Sequence, residues 1–167
     1  MPNLKSFHAD SLFPNLDYYK VVFELCPLIQ EIRIYCFDVI IGLDYFELGK
    51  LLNQKIKKLS VGQNESQDLF KLMIDQMDQL ESFKSNCLYD YNFIFNFKSL
   101  KSLDLCLSYE LCLQVVDGMI DSGINETLNH LSFCFCVCIE SGDDEDDIWS
   151  KKIGFKLGKY FHQYYNQ

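Results

Sequence analysis

Short runs in which apolar and polar residues alternate recur along the chain, and amphipathic segments separate them. The pattern L-x-x-L-x-L-x-x-N/C fits residues 56–64 at every defined position, and it fits residues 128–136 with cysteine as the closing residue. In such a pattern the alternating apolar side chains point into the protein, and the closing Asn or Cys satisfies backbone groups in the turn. These two segments therefore predict two strands of the same kind.

Four further copies complete a series. Residues 100–105 match the first half of the pattern, and weaker copies begin at Leu4, Ile29 and Leu80. The six starts, at 4, 29, 56, 80, 100 and 128, are 20 to 28 residues apart, which lies within the roughly 20 to 29 residues of such repeats. Six copies in series at this spacing are hard to obtain by chance, so we predict about six strands.

Between the predicted strands, apolar residues recur at the helical period of about 3.6. The amphipathic segments 18–26, 44–52, 66–77 and 110–121 predict four helices. Ser66 is the expected N-cap of the third, because its hydroxyl can accept a hydrogen bond from a backbone N–H of the first turn. Segment 92–98 is short and aromatic, so an irregular or one-turn connection is expected there. Residues 149–167 are expected to form a degenerate repeat or cap.

With these repeats the chain resembles the leucine-rich-repeat superfamily, and it looks most like the repeat region of F-box/leucine-rich-repeat proteins. The resemblance spans nearly the whole chain and implies one α/β domain over residues 1–167, a solenoid with a curved parallel sheet on its concave side and helices on its convex side. In F-box relatives, an N-terminal helical module docks on an adaptor of a ubiquitin ligase and the repeats choose the substrate. The F-box module itself is not found, since the first repeat begins at Leu4.

The third, fifth and seventh residues of each repeat are predicted to face out of the sheet. They form a polar surface of mixed charge, which suits a protein or peptide partner because charge sets register and specificity. The predicted partner-binding residues are Arg33, Tyr35, Lys58, Lys84, Asp104 and His130. Arg33 and Tyr35 should matter most, because both residue types are enriched among binding hot spots.

Two functions remain open at this point. The first is a protein-interaction module, which the F-box resemblance extends to substrate recognition for a ubiquitin ligase and to ubiquitin-ligase components as partners. The alternative is a structural fragment of a longer repeat protein that has no independent activity.

Charge and hydropathy narrow the choice of partner. The net charge is −9, and residues 143–147 supply five of the negative charges, so 141–148 is expected to be a solvated acidic loop. Residues 55–58 form the one dense cluster of Lys residues in the sequence, whereas nucleic-acid binding requires a longer stripe of basic residues. No apolar run reaches the roughly 18 residues of a membrane span, and no signal-like segment opens the chain. We therefore expect no nucleic-acid or membrane partner, and a cytoplasmic or nuclear protein.

The cysteines and histidines are the remaining candidates for chemistry. His130, Cys134, Cys136 and Cys138 could suggest zinc, but cysteines that alternate on a strand lie roughly 7 Å apart and do not converge. His8 and His130 fall in the first and last repeats, about 24 Å apart at the usual strand spacing. No phosphate loop or hydrolase motif is present. We therefore expect no catalytic residues, no metal, no cofactor and no small-molecule substrate.

Overall fold

The computed structural model describes residues 3–37, 39–64, 66–86 and 91–135. Within these residues, six strands form one sheet. They are β1 (Ser6–Ala9), β2 (Glu31–Phe37), β3 (Lys58–Asn64), β4 (Ser82–Ser85), β5 (Ser102–Leu107) and β6 (His130–Phe135). All neighbouring pairs are parallel, and the strands lie in the order in which they occur along the chain.

Parallel neighbours need a crossover connection between them. Four of the five connections contain a helix, and these helices are α1 (Leu16–Leu25), α2 (Tyr45–Asn53), α3 (Gln67–Ile74) and α4 (Tyr109–Ser122). Between β4 and β5 there is instead a 3₁₀ turn, Asn92–Asn96, and a second 3₁₀ turn, Ile124–Glu126, follows α4. The predicted α/β class is confirmed, and the arrangement is compatible with a repeat-like protein.

Each described strand begins two residues after a predicted repeat start. The predicted helices are also present, although their ends differ. The first begins earlier, at Leu16, because the Asn15 side chain caps it by accepting hydrogen bonds from two backbone N–H groups. The third ends at Ile74, three residues early, because the chain tightens there into a turn in which the Met77 N–H donates to the Ile74 carbonyl at 2.9 Å.

Ser66 occupies the N-cap position of α3, as predicted, but its side chain makes no capping hydrogen bond. That part of the prediction was wrong. Side-chain capping occurs at other helices: Asp44 Oδ1 accepts from the Glu47 N–H at 3.0 Å, and Ser108 Oγ accepts from the Leu111 N–H at 3.4 Å. A serine at position 66 therefore predicted the start of the helix correctly, although it does not supply the expected capping hydrogen bond.

The core lies between the sheet and the helices. Alternate strand residues and the inner faces of the helices form one cluster of buried side chains, and Leu59, Val61, Leu103 and Leu105 are all at most 2% exposed. Leu131 and Phe133 were predicted to be buried as well, but they are only partly buried. The reason is their position, since β6 is the last strand of the sheet within the described residues.

An aromatic cluster fills the core beside the connection between β4 and β5, whose described residues contain no α-helix. Phe93, in the 3₁₀ turn, meets Phe83 edge to face at 5.7 Å between ring centroids and meets Phe70 at 5.6 Å. Phe97 packs on Phe83 at 6.1 Å. These rings fill the space that the apolar side of a helix fills in the other repeats. The irregular or one-turn connection predicted for 92–98 is consistent with this packing.

Two predicted segments, the acidic loop at 141–148 and the cap at 149–167, lie outside the described residues. Of the helices that the structure describes, none is both long enough and apolar enough to cross a membrane.

Candidate binding face

The side of the sheet that points away from the helices carries two lines of side chains in register. We call this side the open face. The first line is Ser6, Glu31, Lys58, Ser82, Ser102 and His130, and the second is His8, Arg33, Ser60, Lys84, Asp104 and Ser132. Tyr35, Gly62, Asn86, Cys106 and Cys134 continue the same alternation at the carboxyl ends of the strands. All six residues predicted to bind a partner therefore lie on the open face.

Four of these six residues line one depression in the middle of the open face. They are Arg33, Tyr35, Lys58 and Lys84, which come from three adjacent strands. The depression has a volume of about 480 Å³, and its other lining residues include Glu31, Ser60, Gly62, Ser82 and Asn86. Asp104 and His130 lie outside it, on β5 and β6.

Two of the predicted basic residues already have carboxylate partners. Arg33 Nε donates to Glu31 Oε1 at 2.6 Å along the same strand, and Lys84 Nζ donates to Asp104 Oδ2 at 2.5 Å across β4 and β5. All four side chains retain contact with solvent, and exposed ion pairs contribute only about 0 to 1 kcal/mol. A partner could therefore replace either carboxylate at little cost.

Lys58 differs from the other two basic residues of the depression. It forms no salt bridge with any residue in the described part of the chain, and its side chain is exposed. Its ammonium group is thus available to a carboxylate from a partner.

Among the described residues of the open face, Tyr35 is the large aromatic side chain, and it is 58% exposed. Beside it on β3 is Gly62, where an added Cβ would collide with the Tyr35 carbonyl oxygen. Glycine therefore lets β2 and β3 approach closely here, and it places no side chain against the tyrosine ring. The ring remains accessible from the depression.

A further ion pair, not anticipated from the sequence, lies where β4 and β5 begin. Lys101 Nζ donates to Glu81 Oε2 at 2.8 Å. The hydrogen bond from Lys101 is the largest influence and lowers the Glu81 pKa. Burial opposes it, and the charges of Lys101, Lys57 and Lys58 add to the lowering. Glu81 and Lys101 both occupy the second position of their repeats, so the aligned repeats contained the signal for this pair.

The two histidines in the described part of the chain lie on different strands, as expected. His8 is on β1 and His130 is on β6, at opposite edges of the described sheet. His8 Nε2 lies 3.1 Å from Ser6 Oγ. In the described part of the chain, no three His, Cys, Asp or Glu side chains are grouped so that they could hold a metal ion. Cys136 and Cys138, which belong to the segment considered for zinc, lie outside the described residues.

Comparisons with protein-family models, with curated proteins and with solved structures found no match to this chain. The leucine-rich-repeat resemblance therefore rests on the repeat pattern.

Proposed function

We propose that this chain is a protein-binding module of the leucine-rich-repeat type, in which the open face is the concave side of a solenoid and holds an extended segment of a partner protein. One observation carries the proposal. Four residues selected from the repeat pattern, Arg33, Tyr35, Lys58 and Lys84, come together around a single depression on the open face.

The size of this depression suits a short extended segment. Three adjacent strands span two strand spacings, or roughly 10 Å, which corresponds to about three residues of extended peptide. Tyr35 offers rigid apolar area and a hydroxyl group to such a segment. Side chains from β2, β3 and β4 can then contact it at the same time.

The charges of the depression favour an acidic partner. Its lining contains three basic side chains, Arg33, Lys58 and Lys84, and one acidic side chain, Glu31. Glu31 pairs with Arg33, and Asp104, just outside the depression, pairs with Lys84, so the local excess is the single positive charge of Lys58. This excess contrasts with the net charge of −9 for the chain. A partner carboxylate would bind Lys58 first. A second partner carboxylate could displace that of Glu31 and bind the planar guanidinium group of Arg33.

Substrate recognition for a ubiquitin ligase is a more specific form of this proposal, and the length of the repeats is what supports it. Under the alternative, a structural fragment of a longer repeat protein, the isolated chain would retain no specific partner.

The test begins with a pull-down on the full chain, with partners identified by mass spectrometry, and continues with binding kinetics on the partner obtained. Lys58→Glu should slow association and reduce its dependence on salt, because it removes a steering charge. Tyr35→Ala should mainly speed dissociation, with a loss of about 2 kcal/mol, or about thirtyfold in affinity, if the ring is a hot spot.

The matched control is Lys71→Glu, which makes the same charge change on α3, on the opposite side of the sheet. It should leave binding unchanged. Loss of binding in Lys71→Glu together with normal binding in the two open-face variants would place the site on the helical side and refute the proposal. Failure to retain any specific partner would favour the structural alternative.

A further inference from the structure

Two cysteines stand side by side near the end of the open face. Cys106 on β5 and Cys134 on β6 are register partners in the parallel sheet. Both follow the alternation that directs side chains to the open face, two residues after the register pair Asp104 and Ser132. Cys134 is exposed, and Cys106 is half-buried. Solvent and small reagents can therefore reach this cysteine pair.

The other described cysteines lack this arrangement. Cys26 and Cys112 are buried in the core, and burial raises the pKa of the Cys112 thiol to about 11, which keeps it from forming the reactive thiolate. Cys36 is half-buried, and its register partner on β3 is Gln63. In the described part of the chain, only Cys106 and Cys134 are register partners of each other.

The strand geometry permits a bond between the two sulfur atoms. Register partners on neighbouring strands have Cα atoms about 4.8 Å apart, which lies inside the range of about 4.4 to 6.8 Å found for disulfides. Their Cα–Cβ bonds are nearly parallel, so the Cβ atoms must approach by about 1 Å to reach the usual disulfide separation near 3.8 Å. A bond that requires this adjustment is strained, and strained, accessible disulfides are the readily reduced ones.

We propose that Cys106 and Cys134 form a redox-active dithiol that exchanges reversibly with low-molecular-weight disulfides of the glutathione class. The Cys134 thiolate attacks one sulfur of glutathione disulfide, forms a mixed disulfide and releases one glutathione thiolate. The Cys106 thiolate then attacks the Cys134 sulfur and releases the second glutathione. The protein loses two protons and two electrons, and the electrons leave on the two glutathione thiols. This inference does not depend on the proposed binding function.

The experiment uses the full chain with Cys87, Cys136 and Cys138 changed to serine, because these thiols lie outside the described residues and could compete. After incubation with glutathione disulfide, remaining thiols are alkylated, the protein is cleaved after glutamate, and peptides are analysed without reduction. Peptide 82–110, containing Cys106, should be joined to peptide 127–140, containing Cys134. The mass of the joined peptides should be lower than the sum of the masses of the two reduced peptides by two hydrogen atoms. Excess reduced glutathione should separate the peptides.

Two variants complete the test, with circular dichroism to verify folding. Cys134→Ser should abolish the joined peptide, whereas Cys36→Ser, a matched change at a half-buried strand cysteine, should leave it intact. A stable mixed disulfide of glutathione on Cys134, or a bond from Cys134 to Cys36 or Cys112, would overturn the proposal. So would a joined peptide that excess reduced glutathione does not separate.

Discussion

Gly49 allows α2 and α3 to pack against each other more closely than any other residue would permit. A Cβ added at this buried position would overlap the Met73 carbonyl oxygen and would lie 2.9 Å from Gln76 Cβ. Gly→Ala in a helix normally stabilises by about 1 kcal/mol, but here the alanine meets the backbone of α3, and overpacking costs about 1 to 3 kcal/mol or more. Because the overlap is with backbone rather than with a side chain that can rotate away, the cost lies in the upper part of this range. We expect Gly49→Ala to lower the free energy of unfolding by about 2 kcal/mol.

A second glycine provides the control. At Gly118 in α4, an added Cβ would meet the ring of Phe95, which is a half-buried side chain and can rotate away. The higher helix propensity of alanine should nearly cancel the cost of moving the Phe95 ring, so Gly118→Ala should change the free energy of unfolding by less than about 1 kcal/mol. Urea unfolding followed by circular dichroism measures both, and the Gly49 variant should also melt about 4 to 8 °C lower. Gly49→Ala with unchanged or increased stability would refute the close packing of α2 and α3.

Two further predictions concern the sheet. Leu103→Ala should destabilise the protein by about 2 to 5 kcal/mol because Leu103 is 0% exposed, and Leu131→Ala should cost less because Leu131 is only partly buried. Denaturant unfolding measures both losses. Equal losses, or a loss below about 0.5 kcal/mol for Leu103→Ala, would show that the register is wrong. Because the hydrogen bond from Lys101 lowers the Glu81 pKa below its ordinary value of 4.5, the stability from ionised Glu81 is fully present above that value and is lost as pH falls through the folded-state pKa. The free energy of unfolding should therefore fall less steeply at acid pH in Glu81→Gln than in the unmodified protein, and Glu24→Gln, on the exposed side of α1, should not show this change. If the free energy of unfolding of Glu81→Gln and of the unmodified protein fell equally with pH, the prediction would be contradicted.

The strands and their register could be predicted from the sequence because one side of the sheet is buried. A slip of one residue would turn every apolar side chain to the other side, so alternation specifies both the strand and the face of each residue. The pattern that placed Leu59 and Leu103 in the core thereby placed Lys58 and Lys84 on the open face. The location of the candidate site followed from the core.

The pairing of side chains within that face could not be predicted in the same way. Lys84 and Asp104 are 20 residues apart, and their ion pair depends on the alignment of two strands whose connection, where it is described, contains only a 3₁₀ turn. The helix ends also depended on local hydrogen bonds: Asn15 supplied a cap, while the side chain of Ser66 did not. Such details are decided by geometry within about 3 Å, which residue types and spacing do not contain.

The ion pairs change how the proposed face would select its partners. Glu31 and Asp104 neutralise Arg33 and Lys84, so an acidic partner must displace a resident carboxylate at each of these positions and gains only the difference between two similar exposed pairs. Charge there would govern encounter rate and partner choice more than affinity. Affinity would have to come from the exposed ring of Tyr35 and from Lys58, which needs no such exchange. A segment with an acidic residue near an aromatic or aliphatic one would satisfy both, whereas a purely acidic segment would associate readily and dissociate quickly.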